Sequence, residues 1–195
     1  MIIGISGKIG TGKSTIAGHA AMILRQAGER VEAIPFGMLL KKECSLRFQF
    51  PLEYTMSQAG KQHIIFHYDL PGGAMSVRRI LQWYGTDVCR AKDPAHWIKL
   101  MGVVLDGVKS GVHIIIDDVR FANEAQLVQD RGGFLVRVHP YQGYRLSSDA
   151  GHKSETALDT WDDWDLELSP ELGDPALFNA ALKIVTAIQE RGGQT

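Results

Sequence analysis

The eight residues Gly7-Lys8-Ile9-Gly10-Thr11-Gly12-Lys13-Ser14 leave this chain few folds to choose from. They fit the pattern G-x-x-x-x-G-K-[ST] in full, with the apolar run Ile2–Ser6 directly before them and the helix-compatible Ser14-Thr15-Ile16-Ala17 directly after. A buried strand that feeds such a loop, and a helix that leaves it, belong to a parallel sheet covered on both faces. The residue types carry the chemistry. Glycines let consecutive backbone N–H groups turn inward around phosphate oxygens, and the helix N-terminus adds the positive end of its dipole. In this pattern the lysine meets the β- and γ-phosphates of a nucleoside triphosphate and the hydroxyl ligates Mg²⁺. Gly7, Ile9, Gly10, Thr11, Gly12, Lys13, Ser14 and Thr15 are the expected ATP-binding residues, with Lys13 catalytic and Ser14 a metal ligand.

Short apolar runs alternate with helical patterns along the rest of the chain, the signature of βαβ units. Strands are expected at Ile2–Ser6, Val31–Phe36, His113–Asp117, Phe134–Val138 and Asp165–Leu168. Helices are expected at Lys13–Ala27, Asn123–Asp130 and Pro175–Arg191, the last with Leu177, Ala181, Ile184 and Ile188 on one face. Gly28 and Gly132 stand where helix C-terminal caps belong. Residues 37–109 are far more than a crossover needs and predict a helical insertion able to hold a second substrate. Residues 140–155, rich in Gly, Ser, Tyr and charge, have the composition of a lid. The fold class is α/β: a single domain over residues 1–195, with a five-stranded parallel sheet, helices on both faces, the insertion and the lid.

Composition excludes several function classes. A formal net charge of −1 offers no broad attraction to nucleic acid, so an anionic ligand must be held by local geometry. Cys44 and Cys89 lie far apart and outside any CxxC spacing, which argues for two reduced thiols and against a disulfide framework or a cysteine-based metal site. No stretch reaches the roughly 18 consecutive apolar residues of a membrane span, and no basic flank precedes an apolar leader. The expectation is a soluble cytoplasmic protein acting on small molecules, without nucleic-acid or membrane partners.

A second acidic signal ends the third strand, in Ile114-Ile115-Ile116-Asp117-Asp118-Val119-Arg120. A carboxylate there is placed to support Mg²⁺ opposite Ser14. Strand alternation sends Asp117 and Asp118 to opposite faces, so one of them faces the metal and the other caps the following turn. Three isoleucines followed by an acid nominate Asp117. These signals establish nucleoside triphosphate use without fixing the second substrate. The guanine-reading Asn-Lys-x-Asp motif is absent from the sequence, and the modest length suits a small-molecule kinase better than a motor.

Five further blocks occur in order: Phe36-Gly37-Met38-Leu39-Leu40-Lys41, Val77-Arg78-Arg79-Ile80-Leu81-Gln82-Trp83-Tyr84-Gly85-Thr86-Asp87-Val88-Cys89-Arg90, Asp93-Pro94-Ala95-His96-Trp97, Asp118-Val119-Arg120-Phe121-Ala122-Asn123-Glu124, and His152-Lys153-Ser154-Glu155. Together with the glycine-rich loop they resemble the bacteriophage deoxynucleoside monophosphate kinases, a P-loop nucleoside monophosphate kinase family. The resemblance implies a P-loop kinase fold and Mg²⁺-dependent transfer of the ATP γ-phosphate to a deoxynucleoside monophosphate, in the host cytoplasm if phage-encoded. It also implies roles for particular residues. Lys41 and Arg78 would reach the acceptor monophosphate, with Phe36, Gln82, Trp83, Asp87 and Arg90 around its base and sugar. His152 and Glu155 would approach the nucleotide pocket, and Arg145 and Lys153 would come from the lid. Asp118 takes the family's acidic position as metal support, and Arg120 stabilises the transferred group. No general base is required, since the acceptor oxygen is already anionic. Other phosphorylated acceptors of the phosphomevalonate or dephospho-coenzyme A type, and a non-catalytic nucleotide switch, stay open at this level. So do base preference and oligomeric state, a homodimer included.

Overall fold

The computed structural model describes residues 1–144, 153–171 and 173–193. In chain order its elements are β1 (Ile2–Gly7), α1 (Lys13–Gln26), β2 (Arg30–Ala33), α2 (Phe36–Arg47), β3 (Ile64–Phe66), β4 (Ala74–Ser76), α3 (Val77–Gln82), a π-helical stretch Trp83–Arg90, α4 (His96–Asp106), β5 (Val112–Val119), α5 (Ala122–Asp130), β6 (Phe134–Val138), α6 (Lys153–Thr156), β7 (Leu166–Leu168) and α7 (Asp174–Gly192). They divide into two compact units, Met1–Pro35 with Gly107–Thr195, and Phe36–Asp106.

The first unit is built on one five-stranded sheet in the order β2-β5-β1-β6-β7, with every pairing parallel. The central strand β1 is buried along Ile3–Ser6, as a strand with neighbours on both edges and helices on both faces must be. Alternation sends Ile3 and Ile5 to one face, where they share a core with Ile16, Ala17, Ala20 and Leu24 of α1 and Ala181, Ile184 and Ile188 of α7. Small alanines on both helices let α1 and α7 approach closely, and the larger Ile and Leu fill the space against the sheet. The opposite face is tighter. A Cβ on Gly4 would stand 2.9 Å from Leu135 Cδ2 and 3.1 Å from Val128 Cγ2 of α5, so only a hydrogen fits there.

Both expected caps form in the same way. Gly28 (φ 86°) and Gly132 (φ 65°) adopt the left-handed conformation, and around Gly28 the N–H groups of Gly28 and Glu29 return to the carbonyls of Arg25 and Leu24 at 3.0 Å. One strand ends earlier than its sequence suggests. Val31–Phe36 reads as a continuous strand, but the ladder closes with Ile34 N–H on Ile115 O (3.0 Å), and Pro35 has no N–H to extend it. Phe36 instead opens α2.

The second unit packs α2, α3, α4 and the π-helical stretch with a small antiparallel hairpin, β3–β4. Trp97 of α4 is buried, and its indole N–H donates to Gly85 O at 3.1 Å, tying α4 to the π-helical stretch. Trp97 is thus a core anchor. The hairpin is a feature the sequence reading did not foresee, although Asp69-Leu70-Pro71-Gly72-Gly73 supplies its turn, with Gly72 and Gly73 both at positive φ. Among the described residues no helix is long and apolar enough to cross a membrane.

Candidate active site

The loop between β1 and α1 is held in shape by one carbonyl. Lys8 O accepts from Thr11 Oγ1 (2.9 Å), from Thr11 N–H (3.4 Å) and from Lys13 Nζ (2.6 Å). Gly12, the N-cap of α1, has φ 88°, and a Cβ there would lie 2.7 Å from Leu177 Cδ2, so glycine is required by both conformation and space. Ser14 and Thr15 are exposed in the first turn of α1, where the unpaired N–H groups of the helix lie.

Lys13 is only 7% exposed. Burial, and secondarily the positive charge of Arg120, bring its pKa down to about 8 from the ordinary 10.5, against opposing contributions from Glu155, Asp117 and Asp118. A buried ammonium beside a guanidinium is a site that wants an anion. Here Glu155 supplies one. Its carboxylate is 5% exposed, accepts from Ile9 N–H at 2.8 Å and forms an ion pair with Arg120. Lys8 bonds to the Glu155 carbonyl and to Asp159, and Arg137 reaches the same Asp159 oxygen at 3.3 Å. Tyr144 donates its hydroxyl to Ile9 O at 2.5 Å, so both polar groups of the Ile9 backbone are engaged from the far end of the chain.

Arg120 is positioned by its own backbone. Glu124, 2% exposed in the first turn of α5, accepts from the N–H groups of Arg120 (2.7 Å) and Phe121 (3.2 Å). The two aspartates before it depart from simple alternation. β1 pairs Gly4 with Ile116 and Ser6 with Val119, so a bulge places Asp117 and Asp118 together opposite Ile5. Ile116 and Val119 then share a face, and the two carboxylates fall in a single register position. The expectation that they take opposite faces is corrected by this extra residue, and both contribute to the field at Lys13, Asp117 more strongly.

The remaining predicted residues belong to the second unit. Phe36 is buried. Lys41 of α2 is half-buried. Arg78 and Gln82 stand one turn apart on α3, both half-buried, and Arg78 donates to Gln58 Oε1. Its neighbour Arg79 is exposed. Trp83, Asp87 and Arg90 lie on the π-helical stretch, with Trp83 half-buried at 6.1 Å from the Phe48 ring and Asp87 exposed. Arg145 and His152, with the middle half of the expected lid, lie outside the described residues. Lys8, Tyr144, Asp159 and Glu124 are site residues that sequence reasoning missed. Glu124 alone carried a signal, an acid three residues after a helix start, which is the spacing of a capping box.

What the loop gathers is positive charge around a place for an anion, the working part of a P-loop phosphotransferase. The comparisons with known proteins narrow that class. Residues 50–165, more than half of the chain, match the deoxynucleotide monophosphate kinase family. The chain belongs to that family and is an ATP-dependent phosphotransferase, a nucleotide kinase. The matched region contains four of the five sequence blocks and none of the glycine-rich loop, so family and loop are independent observations. A protein of Acanthamoeba polyphaga mimivirus named "Putative deoxynucleotide monophosphate kinase" is 26% identical over 193 residues, covering 86% of this chain and 87% of that protein. Among solved structures, shikimate kinase from Aquifex aeolicus is similar in fold, with a TM-score of 0.50, 10% identity and 98% of each chain covered. The APS kinase CysC of Mycobacterium tuberculosis aligns at a TM-score of 0.48 and 14% identity over 96% of both chains.

Proposed function

We propose that this protein transfers the γ-phosphate of ATP to a deoxynucleoside monophosphate, giving ADP and the deoxynucleoside diphosphate. The observation that carries the reading is Lys13, a buried ammonium held on its own loop carbonyl beside Arg120, in a chain of the deoxynucleotide monophosphate kinase family. Gly7, Ile9, Gly10, Thr11, Gly12, Lys13, Ser14 and Thr15 hold the donor phosphates, with Lys13 on the β- and γ-phosphates. Ser14, Asp117 and Asp118 offer only oxygen ligands, the hard set that suits Mg²⁺, and Ser14 and Asp118, with Asp117 beside it, would hold the ion. Mg²⁺ neutralises charge on the donor phosphates when bound.

Lys41 and Arg78 take the acceptor monophosphate, which carries nearly two negative charges and needs cations to approach an anionic donor. Arg78 suits this because a guanidinium binds two phosphate oxygens at once. Gln82, Trp83, Asp87 and Arg90 surround the base and sugar. Arg120, with Arg145 and Lys153 from the lid segment, stabilises the group in flight. One acceptor oxygen forms the new P–O bond as the bridging bond to ADP breaks, so no proton has to be moved first. Following ADP release with ATP and a panel of deoxy- and ribonucleoside monophosphates tests the proposal. Turnover with at least one deoxynucleotide, exceeding that with its ribonucleotide counterpart, is expected. ADP release that ignores the acceptor, or that responds only to other phosphorylated compounds, would refute it.

A further inference from the structure

The second unit contains a cluster that the transfer reaction does not use. Glu43 of α2, Cys89 of the π-helical stretch and His96, the first residue of α4, each offer one ligand atom, and these atoms lie within 4.8 Å of one another. We propose that they form a mixed carboxylate, thiolate and imidazole site for a borderline-soft divalent cation of the zinc class, separate from the Mg²⁺ of the donor loop.

Each ligand is held by the surrounding fold. Glu43 Oε1 accepts from the Tyr84 hydroxyl at 2.7 Å, and Oε2 is the oxygen that stands 3.6 Å from His96 Nε2. That nitrogen is fully buried yet has no hydrogen-bond partner, even though a third of the His96 side chain is exposed. The imidazole therefore aims an unsatisfied atom inward while its other edge meets solvent. Its orientation is set by Trp97, which packs edge-on at 4.6 Å between centroids, and its backbone by Asp93, whose carbonyl accepts His96 N–H at 2.9 Å. Asp93 N–H in turn donates to Cys89 O at 2.9 Å, so a short relay fixes two of the ligands relative to each other.

The chemistry selects the cation. Mg²⁺ takes oxygen ligands, whereas sulfur and imidazole nitrogen favour Zn²⁺ and its relatives. Tetrahedral Zn²⁺ bonds hold ligand atoms roughly 3.2–3.8 Å apart, so small side-chain rotations from the present arrangement suffice. A thiolate and a carboxylate balance a dication, which removes the penalty of burying either charge alone. Three protein ligands leave a fourth position for water, and Glu43 and His96, each about a third exposed, give an ion a way in. A thiol ligates as the thiolate, so loading the ion releases the Cys89 proton. The bound ion would staple α2, the π-helical stretch and α4.

The test is titration of the full-length chain with Co²⁺, followed by displacement with Zn²⁺, in excess Mg²⁺. One equivalent of Co²⁺ should bind, with a thiolate-to-metal charge-transfer band and the intense visible bands of tetrahedral cobalt, and Zn²⁺ should remove both. Cys89→Ser should abolish the charge-transfer band, and Glu43→Gln and His96→Ala should weaken Zn²⁺ binding at least tenfold. Cys44→Ala should leave the band unchanged, since Cys44 is outside the cluster. Should Cys89→Ser misfold, His96→Ala with its partly exposed side chain decides the matter. Absence of a thiolate band in the wild type, or unaltered Zn²⁺ affinity in folded His96→Ala, overturns the site. Neither outcome bears on the kinase reading, which is tested by ADP release.

Discussion

Lys13 links the proton to the nucleotide, and the size of that link follows from its burial. Its pKa in the ligand-free fold is about 8 against 10.5 when exposed, a difference equivalent to about 3 kcal/mol of penalty for holding the charge in place. The sign is opposite to that of a salt-bridged lysine. Below pH 8 both folded and unfolded chains carry the proton, and the fold bears the whole penalty. Between pH 8 and 10.5 the unfolded chain binds more protons, so stability of the ligand-free protein rises with pH across that window. Phosphate reverses the situation by giving the ammonium its counter-charge, and ATP must therefore be bound with proton uptake above pH 8. About 0.9 protons should be taken up per ATP at pH 9 and about 0.1 at pH 7, and ATP affinity should fall by up to about tenfold per pH unit above 8.

Calorimetry in buffers of different ionisation enthalpy reads this uptake directly. Lys13→Arg keeps the charge but does not titrate, so it should bind ATP without the extra proton. Lys13→Met should abolish turnover, and its ligand-free form should melt no lower than wild type, because the buried charge is gone along with the bond to Lys8 O. Equal proton uptake at pH 9 in wild type and Lys13→Arg, or a Lys13→Met chain that is strongly destabilised, would refute the reasoning.

Arg78→Ala should raise the acceptor KM or lower kcat by an amount equivalent to ~2–4 kcal/mol with ATP affinity nearly unchanged, and an equal loss of ATP binding would contradict its assignment to the acceptor. Because the bulge in β5 puts both carboxylates in one register position, Asp117→Asn and Asp118→Asn should each lower kcat more than about tenfold, with partial recovery at high Mg²⁺; a variant within twofold of wild type would remove that residue from the metal's support. Glu155→Gln removes the negative charge that holds Ile9 N–H and Arg120, so ATP should bind up to about tenfold more tightly by calorimetry, and weaker binding would show that Glu155 aids the nucleotide instead. Ile184→Ala, in the core between α7 and the sheet, should cost about 2–5 kcal/mol in denaturant unfolding without altering the slope of the transition.

The parts of this architecture that were legible in the sequence are those that local chemistry decides. Glycine conformation and a buried lysine fix the loop at Gly7–Ser14, β-branched runs mark β1, β5 and β6, and Gly28 and Gly132 end their helices through backbone geometry alone. What escaped depends on partners distant in the chain. The bulge at Asp117–Asp118 exists only through the pairing of β5 with β1, more than a hundred residues earlier, and strand periodicity has no term for it. Lys8 finds Asp159 across 151 residues and Ile9 finds Glu155 across 146, contacts that no short motif encodes. Glu43, Cys89 and His96 escaped for a related reason, since they sit on three different elements that only the fold brings together. With the two cysteines far apart and no CxxC, spacing argued against a cysteine-based metal site, whereas folding brings one thiol to a histidine and a glutamate.

The position of Glu155 bears on how the proposed reaction begins. The loop brings Lys8 and Lys13 close to Arg120, and such a concentration of positive charge is costly when uncompensated. The Glu155 carboxylate accepts the Ile9 N–H, pairs with Arg120 and helps Lys13 keep its proton. A triphosphate brings several negative charges to donors that one carboxylate now satisfies. In the proposed reaction nucleotide entry would be an exchange of anions, with a net free energy smaller than the phosphate contacts alone suggest. The exchange also couples events: a phosphate that displaces Glu155 from Ile9 leaves Arg120 without its present counter-charge. Glu124 still holds the Arg120 backbone, so the residue stays anchored at the end of β5 when its side chain is released. In the proposed reaction, an arginine paired with Glu155 would be uncovered by the donor phosphates, and its charge would then be available to the transferring group.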